Sequence, residues 1–139
     1  MSRLMSVAYT EDAVRERRKT VTRRKGWWQD VNGRQIIKPG DRITLCRKVM
    51  GRWSKGVVEP LVRICEVEVV DVRRETLDML CISEMEDGRY GDSEVAREGF
   101  PGMGPAEFIE RFFIDAQDMW WTDEVTRIEF RYLDEEGRP

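Results

Sequence analysis

Histidine is absent from this chain of 139 residues. Its absence excludes Ser-His-Asp and Cys-His nucleophile pairs, histidine-ligated zinc and the usual near-neutral general base. Any catalysis would fall to Lys, Thr, Asp, Glu or Tyr. Cysteine is sparse. Cys46, Cys65 and Cys81 are odd in number, far apart and form no C-x-x-C pair. They read as reduced thiols, not as a disulfide framework or a metal site, and Cys46 and Cys65 fall in apolar strand-like runs that suit a core. No apolar run approaches the ~20 residues that span a bilayer. Nor does the chain open with a cationic start, an apolar stretch and a small-residue cleavage site. The expectation is a soluble, cytoplasmic protein with no membrane partner, no metal and no cofactor.

With 40% hydrophobic residues, the length suits one domain over residues 1–139, with a folded part at about 5–133, a frayed tail at 134–139 and room for a single core. The net charge of −3 conceals a division. Residues 1–74 carry 18 Lys and Arg against 9 Asp and Glu; residues 75–139 carry 6 against 18. A molecule polarised in this way can hold phosphate on its basic side despite an acidic total. Alternatively, the two halves neutralise each other across the fold.

The basic charge peaks at Arg15-Glu16-Arg17-Arg18-Lys19-Thr20-Val21-Thr22-Arg23-Arg24-Lys25, where seven cations stand against one acid. An ordinary solvated helix would interleave carboxylates and carry no Thr-Val-Thr. The pattern suits a strand edge or turn that presents cations and hydroxyls to an anionic ligand. Paired Trp27 and Trp28 follow in a loop bounded by Gly26 and Gly33, either as a lid on the core or as a stacking surface.

Elsewhere, Thr10-Glu11-Asp12 reads as a helix start running to about Arg17, with Val14 as its apolar contact. Lys38-Pro39-Gly40-Asp41 is a turn that launches a strand over Arg42–Val49, and Gly51–Gly56 is a polar connection. Leu61–Val72 is the clearest strand. Its imperfect alternation implies a bend or a bulge. Asp87–Asp92 is a loop, and a helical turn over Ser93–Glu98 is capped by Asp92 or Ser93 and stopped by Gly99. A helix from Pro105 to about Ile114 buries Phe108, Ile109, Phe112 and Phe113. Met119, Trp120 and Trp121 suit core or rim packing. Glu124–Tyr132 is a closing strand, with Ile128, Phe130 and Tyr132 on the core side and Arg127, Glu129 and Arg131 on a wet side. Five or six strands with two or three short helices in mixed order indicate α+β, and one long bent strand favours a small, partly open mixed β-barrel.

Taken in order, Lys19-Thr20-Val21-Thr22-Arg23-Arg24, Lys38-Pro39-Gly40-Asp41, Ala96-Arg97-Glu98-Gly99-Phe100 before a Phe-rich helix, and Val125-Thr126-Arg127-Ile128-Glu129-Phe130 resemble ASCH-domain proteins, of PUA-like fold. The resemblance implies a β-barrel with a cleft beside the Lys-Thr strand, suited to RNA or a modified nucleoside. Some small ASCH proteins are amidohydrolases that deacylate N4-acetylcytidine with a Lys, a Thr and a Glu. By motif, Lys19 and Thr22 match the first two, and Glu98 matches the third by its place before Gly99-Phe100. The chain departs from those minimal enzymes in its Trp27–Asn32 loop and its longer Asp87–Glu94 connection.

Three functions follow. As a binding module, Arg18, Lys19, Arg23 and Arg24 would contact phosphates, Trp27 or Trp28 would stack on a base and Glu98 would accept from its exocyclic amine. As an amidohydrolase, Thr22 would be the nucleophile, Lys19 its base and Glu98 an orienting acceptor. Residues at i and i+3 of a regular strand face opposite ways, so this requires Lys19 to lie on the turn before the strand, or a bulge between them. As a non-catalytic interaction protein, the acidic C-terminal half would meet a basic partner.

Overall fold

A computed structural model describes residues 3–47, 61–82, 88–134 and 137–138, with the backbone of two short strands at 53–54 and 57–58. The strands are β1 (Arg3–Ser6), β2 (Val21–Arg24), β3 (Arg42–Cys46), β4 (Trp53–Ser54), β5 (Val57–Val58), β6 (Arg63–Thr76) and β7 (Glu124–Tyr132). The helices are α1 (Glu11–Arg15), α2 (Met79–Ile82), α3 (Tyr90–Arg97) and α4 (Pro105–Ile109). The main sheet has the order β1-β3-β6-β7-β2, and β4 pairs with β5 in a separate ribbon. Only β1 and β3 run parallel; the other main-sheet pairs are antiparallel. The architecture is α+β, with a curled mixed sheet that forms a half-barrel.

β6 is the backbone of this sheet. It runs further than the sequence pattern indicates, to Thr76, because β7 pairs with it from Val67↔Tyr132 to Thr76↔Glu124. The pairing register shifts between Val69 and Asp71, so the imperfect alternation is a bulge of the kind that bends a strand and increases its twist. The curl brings the two edge strands together. Arg24 on β2 donates from Nη2 to the Ser6 carbonyl of β1 at 2.6 Å, a side-chain stitch where the backbone ladder stops.

Two buried clusters replace the single core expected. Met5, Val7, Val14, Ile43, Leu45, Val67, Ile128 and Phe130 pack inside the curl. Leu77, Leu80, Tyr90, Val95, Phe108, Ile109, Phe113 and Val125 pack beneath the helices. Phe112 stays half-buried at the border of the second cluster. Met119 is buried and Trp121 half-buried, while Trp120 is 62% exposed. Cys46 is buried, Cys65 half-buried and Cys81 exposed, all as free thiols.

Several local expectations need correction. The outer side of β7 is not wet throughout, because α3 covers it and leaves Arg127 only 2% exposed. α3 begins at Tyr90, ahead of Asp92 and Ser93, and has no side-chain cap, so neither residue acts as its N-cap. Thr10 likewise gives no capping hydrogen bond to α1. The helix from Pro105 loosens at Glu110–Asp115 into a π-helical turn, a form frequent at functional sites. The tail is held in part, since Arg42 donates to the Gly137 carbonyl at 2.7 Å. The third strand ends at Cys46, and Lys48 and Val49 of its expected range lie outside the described residues. So do Gly51, Arg52, Lys55 and Gly56 of the polar connection, whose centre is strand β4, and Asp87 of the following loop.

Candidate functional site

Two helix ends define the site. α1 terminates with Arg17 at φ +60°, and the amides of Arg17 and Arg18 donate back to the carbonyls of Val14 and Ala13. This is the six-to-one and five-to-two closure that usually recruits glycine, here made by arginine. It swings the chain so that Lys19 lies on the turn before β2, which resolves the i, i+3 problem: both Lys19 and Thr22 reach one cleft. α3 ends with the same closure around Gly99, whose φ is +112° and where a Cβ would sit 3.1 Å from that of Ala13. Glu98 stands immediately before it and meets Lys19 from the turn after α1. The amide of Thr20 donates to the Arg97 carbonyl at 2.9 Å and ties the start of β2 to this corner.

Lys19 and Glu98 are each 3% exposed. Lys19 Nζ donates to the Glu98 carbonyl at 2.7 Å and to Oε1 at 3.2 Å. The contact sets a cation against the negative end of α3, a favourable placement for charge. Burial pushes the Lys19 ammonium below its ordinary range, and the neighbouring Arg24 and Arg23 add to that; the Glu98 carboxylate works in the opposite direction. Tyr132 donates to the Lys19 carbonyl at 2.5 Å and holds the backbone of the turn.

Register on β2 divides its arginines. Thr22 pairs with Ile128 and Arg24 with Thr126, while Arg23 pairs with Arg127 on the other face. Arg127 in turn sits opposite Arg73 of β6, so three arginines cross the sheet in one row. Like charges set directly opposite are destabilising. Here carboxylates from elsewhere intervene. Arg23 donates from Nη2 to Glu94 at 2.5 Å, from Nε and Nη2 to Glu75 at 2.8 and 2.6 Å, and from Nη1 to Glu98 Oε2 at 3.1 Å. Arg127 Nε also donates to Glu94 at 2.5 Å, and Tyr90 donates to Glu75 at 2.8 Å. Desolvation would raise the Glu94 carboxyl, but the two guanidiniums outweigh it and hold the group at about 2. Arg127 Nη1 has no hydrogen-bond acceptor among the described residues and lies 3.6 Å from Asp71. The two charge halves of the chain thus neutralise each other here, and Glu75 and Glu94 are turned inward, away from the cleft.

On the other face, Arg24 Nε donates to Thr22 Oγ1 at 3.1 Å and Nη2 to the Ser6 carbonyl. Burial lowers the pKa of this guanidinium, opposed by the charge of Glu98. No carboxylate bonds it among the described residues. It borders a cleft of about 730 Å³ that opens between the two edge strands. Lys19, Thr22 and Glu98 form the polar end of this cleft, Arg23 lines it while its guanidinium is held behind the sheet, and Phe100, Phe108 and Phe112 form its aromatic wall.

Among the expected site residues, Lys19, Thr22, Arg23, Arg24 and Glu98 meet at the cleft. Arg18 is exposed, pairs with Glu16 at 2.6 Å and does not line it. Trp27 packs against the core inside the curl and Trp28 is half-buried; neither lines the cleft. Residues the sequence reading passed over include Glu75, Glu94, Tyr90 and Arg127 behind the cleft, and Tyr9 and Arg111 at its lining, which Lys25 of the basic run joins. One signal was available: Glu94 and Glu98 are carboxylates four apart on one helical face, a repulsive spacing that calls for a cation between them.

Fold and cleft together define a class, a small α+β half-barrel with a polar cleft at the meeting of its edge strands. No family model matches the chain, and no curated protein does. Among solved structures it is similar to the crystal structure of ASCH from Zymomonas mobilis, at 13% identity and a TM-score of 0.48, over 99% of this chain and 68% of that one. Among the described residues no helix is long and apolar enough to cross a membrane, and no group of His, Cys, Asp or Glu is set to hold a metal.

Proposed function

We propose that the cleft binds a nucleoside, free or as a unit of RNA, with a modified base. The observation that carries this reading is the buried Lys19–Glu98 pair beside Thr22 and Arg24, at the end of an aromatic-walled cleft. A base has two flat faces for the phenylalanine wall and an edge of donors and acceptors for the polar end. Glu98 accepts from an exocyclic amine, and Arg24 meets a carbonyl oxygen.

A second reading, amide hydrolysis of an N4-acetylcytidine-like nucleoside, is favoured by the depressed Lys19. A lysine driven towards its neutral form can act as a base. It would take the Thr22 hydroxyl proton as Oγ1 attacks the acyl carbonyl. Arg24 would stabilise the resulting oxyanion, and the proton would pass to the departing amine as the C–N bond breaks. Water would then hydrolyse the threonyl ester. The hydrogen bond from Arg24 to Thr22 also helps the hydroxyl to ionise.

Incubation with N4-acetylcytidine, read by mass, tests both parts. Turnover is expected to rise with pH as Lys19 loses its proton, below the ordinary lysine range. Lys19→Ala, with its fold verified by circular dichroism, should lower kcat/KM by about 10²–10⁴. Binding without turnover would leave the first reading and remove the second. Neither binding nor turnover of any nucleoside would remove both.

A further inference from the structure

We infer that the cleft takes a single strand of at least two nucleotides, with the base next to the one held in the cleft stacked on Tyr9 and the linking phosphate set between Lys25 and Arg111. This rests on the nucleoside reading above and extends it outward. Tyr9 is the most exposed aromatic residue at the site, at 85%. It is not an isolated surface ring. Its centroid lies 6.0 Å from that of Phe112, which stacks on Phe100 at 4.7 Å and 29°. The three rings form a continuous series from the interior of the cleft to solvent. An inner base occupies the inner rings, and the outermost ring is left with a bare face.

Charge selects the kind of occupant. Lys25 and Arg111 line the same cleft, both exposed, and neither side chain forms an ion pair or hydrogen bond among the described residues. They come from different elements, Lys25 just after β2 and Arg111 in the π-helical turn. Several exposed cations of this protein have a carboxylate close by, as in Arg15–Glu11, Arg42–Glu66 and Arg47–Glu11, whereas these two, on one cleft, have none among the described residues. An aromatic outer face beside two unpaired cations matches a chain that alternates aromatic rings with anions. Single-stranded nucleic acid has that composition, and stacking on an aromatic platform is how such strands are commonly held.

Calorimetric titration with N4-acetylcytidine and with two dinucleoside phosphates, adenosine joined to that nucleoside at its 5′ or 3′ side, tests the inference. One of the two should bind about ten-fold tighter than the mononucleoside, the gain expected of one added stacked base. Its affinity should also show an added salt dependence, with a log–log slope steeper by about 0.7 for one neutralised phosphate. Tyr9→Ala should abolish the gain, so that the dinucleoside phosphate binds the variant no more tightly than the mononucleoside does. Lys25→Gln with Arg111→Gln should abolish the added slope. If neither dinucleoside phosphate binds more tightly than the mononucleoside, the inference is overturned while the nucleoside reading stands. Equal weakening of mononucleoside and dinucleoside binding by Tyr9→Ala also overturns it, because Tyr9 would then belong to the inner site. If nothing binds, both fail.

Discussion

Arg23 and Arg24 are neighbours on one four-residue strand, and they occupy opposite electrostatic worlds. Arg23 uses every guanidinium nitrogen on Glu75, Glu94 and Glu98, with Tyr90 as an additional partner. Among the described residues Arg24 bonds a hydroxyl and a backbone carbonyl alone, and it faces the cleft. The alternation of a strand sends adjacent side chains to opposite faces, and the covering of each face decides what they do. Behind the sheet, α3 brings carboxylates, and the charge becomes framework. In front there is only the cleft, and the charge is left for a ligand. A basic run read along the chain therefore overstates the binding surface. Part of it is internal mortar.

Separate substitutions test this division. The largest effect is expected from Arg23→Met, which would leave three carboxylates buried around an apolar side chain. Breaking a buried ion network from one side typically costs about 3–5 kcal/mol, so the urea midpoint should fall steeply. A fall of less than about 1 kcal/mol would mean that Arg23 is not the framework residue described.

A smaller effect lies in acid. Glu94 is held at about 2 in the folded protein, against an ordinary value of 4.5. Its contribution to stability is complete above about 4.5 and is lost as pH falls from there through about 2, because the unfolded chain binds the proton first. The unfolding free energy of the wild type should therefore decline across that window, and Glu94→Gln should decline less. Parallel curves would remove the guanidinium clamp on Glu94. Arg24→Met should be the mildest for stability, within about 1 kcal/mol, since it strands no carboxylate. Its cost should appear in nucleoside affinity, measured by the same titrations. A loss of stability comparable with that of Arg23→Met would erase the contrast between the two residues.

Much of the fold was legible because its causes are local. The alternation of β7 was complete enough to place both its ends, and the broken alternation of β6 marked a bulge. The resemblance to ASCH proteins, carried by Lys19-Thr20-Val21-Thr22 and Glu98-Gly99-Phe100, picked out three residues that line one cleft. Other features left no local trace. The end of α1 was placed close to its observed position, but its left-handed closure was not legible. Arg17 stands where a helix end usually takes glycine, and backbone hydrogen bonds to Val14 and Ala13 close the turn. The dry face of β7 escaped notice because alternation tells faces apart but does not say what covers them. Trp27 and Trp28 showed the composition of a stacking platform, yet neither lines the cleft, and Trp27 packs against the sheet.

By itself, the sequence determined the chemical vocabulary: no imidazole, a lysine and a threonine three apart, and an unequal division of charge between its halves. It determined the strands and helices wherever periodicity and turn residues agreed. The tertiary structure alone decided which cations were neutralised and which remained open to the cleft. The reason is physical. A side chain's rotation about its strand follows from neighbours one or two residues away, whereas its partner arrives from a helix some seventy residues later, and only folding brings the two together.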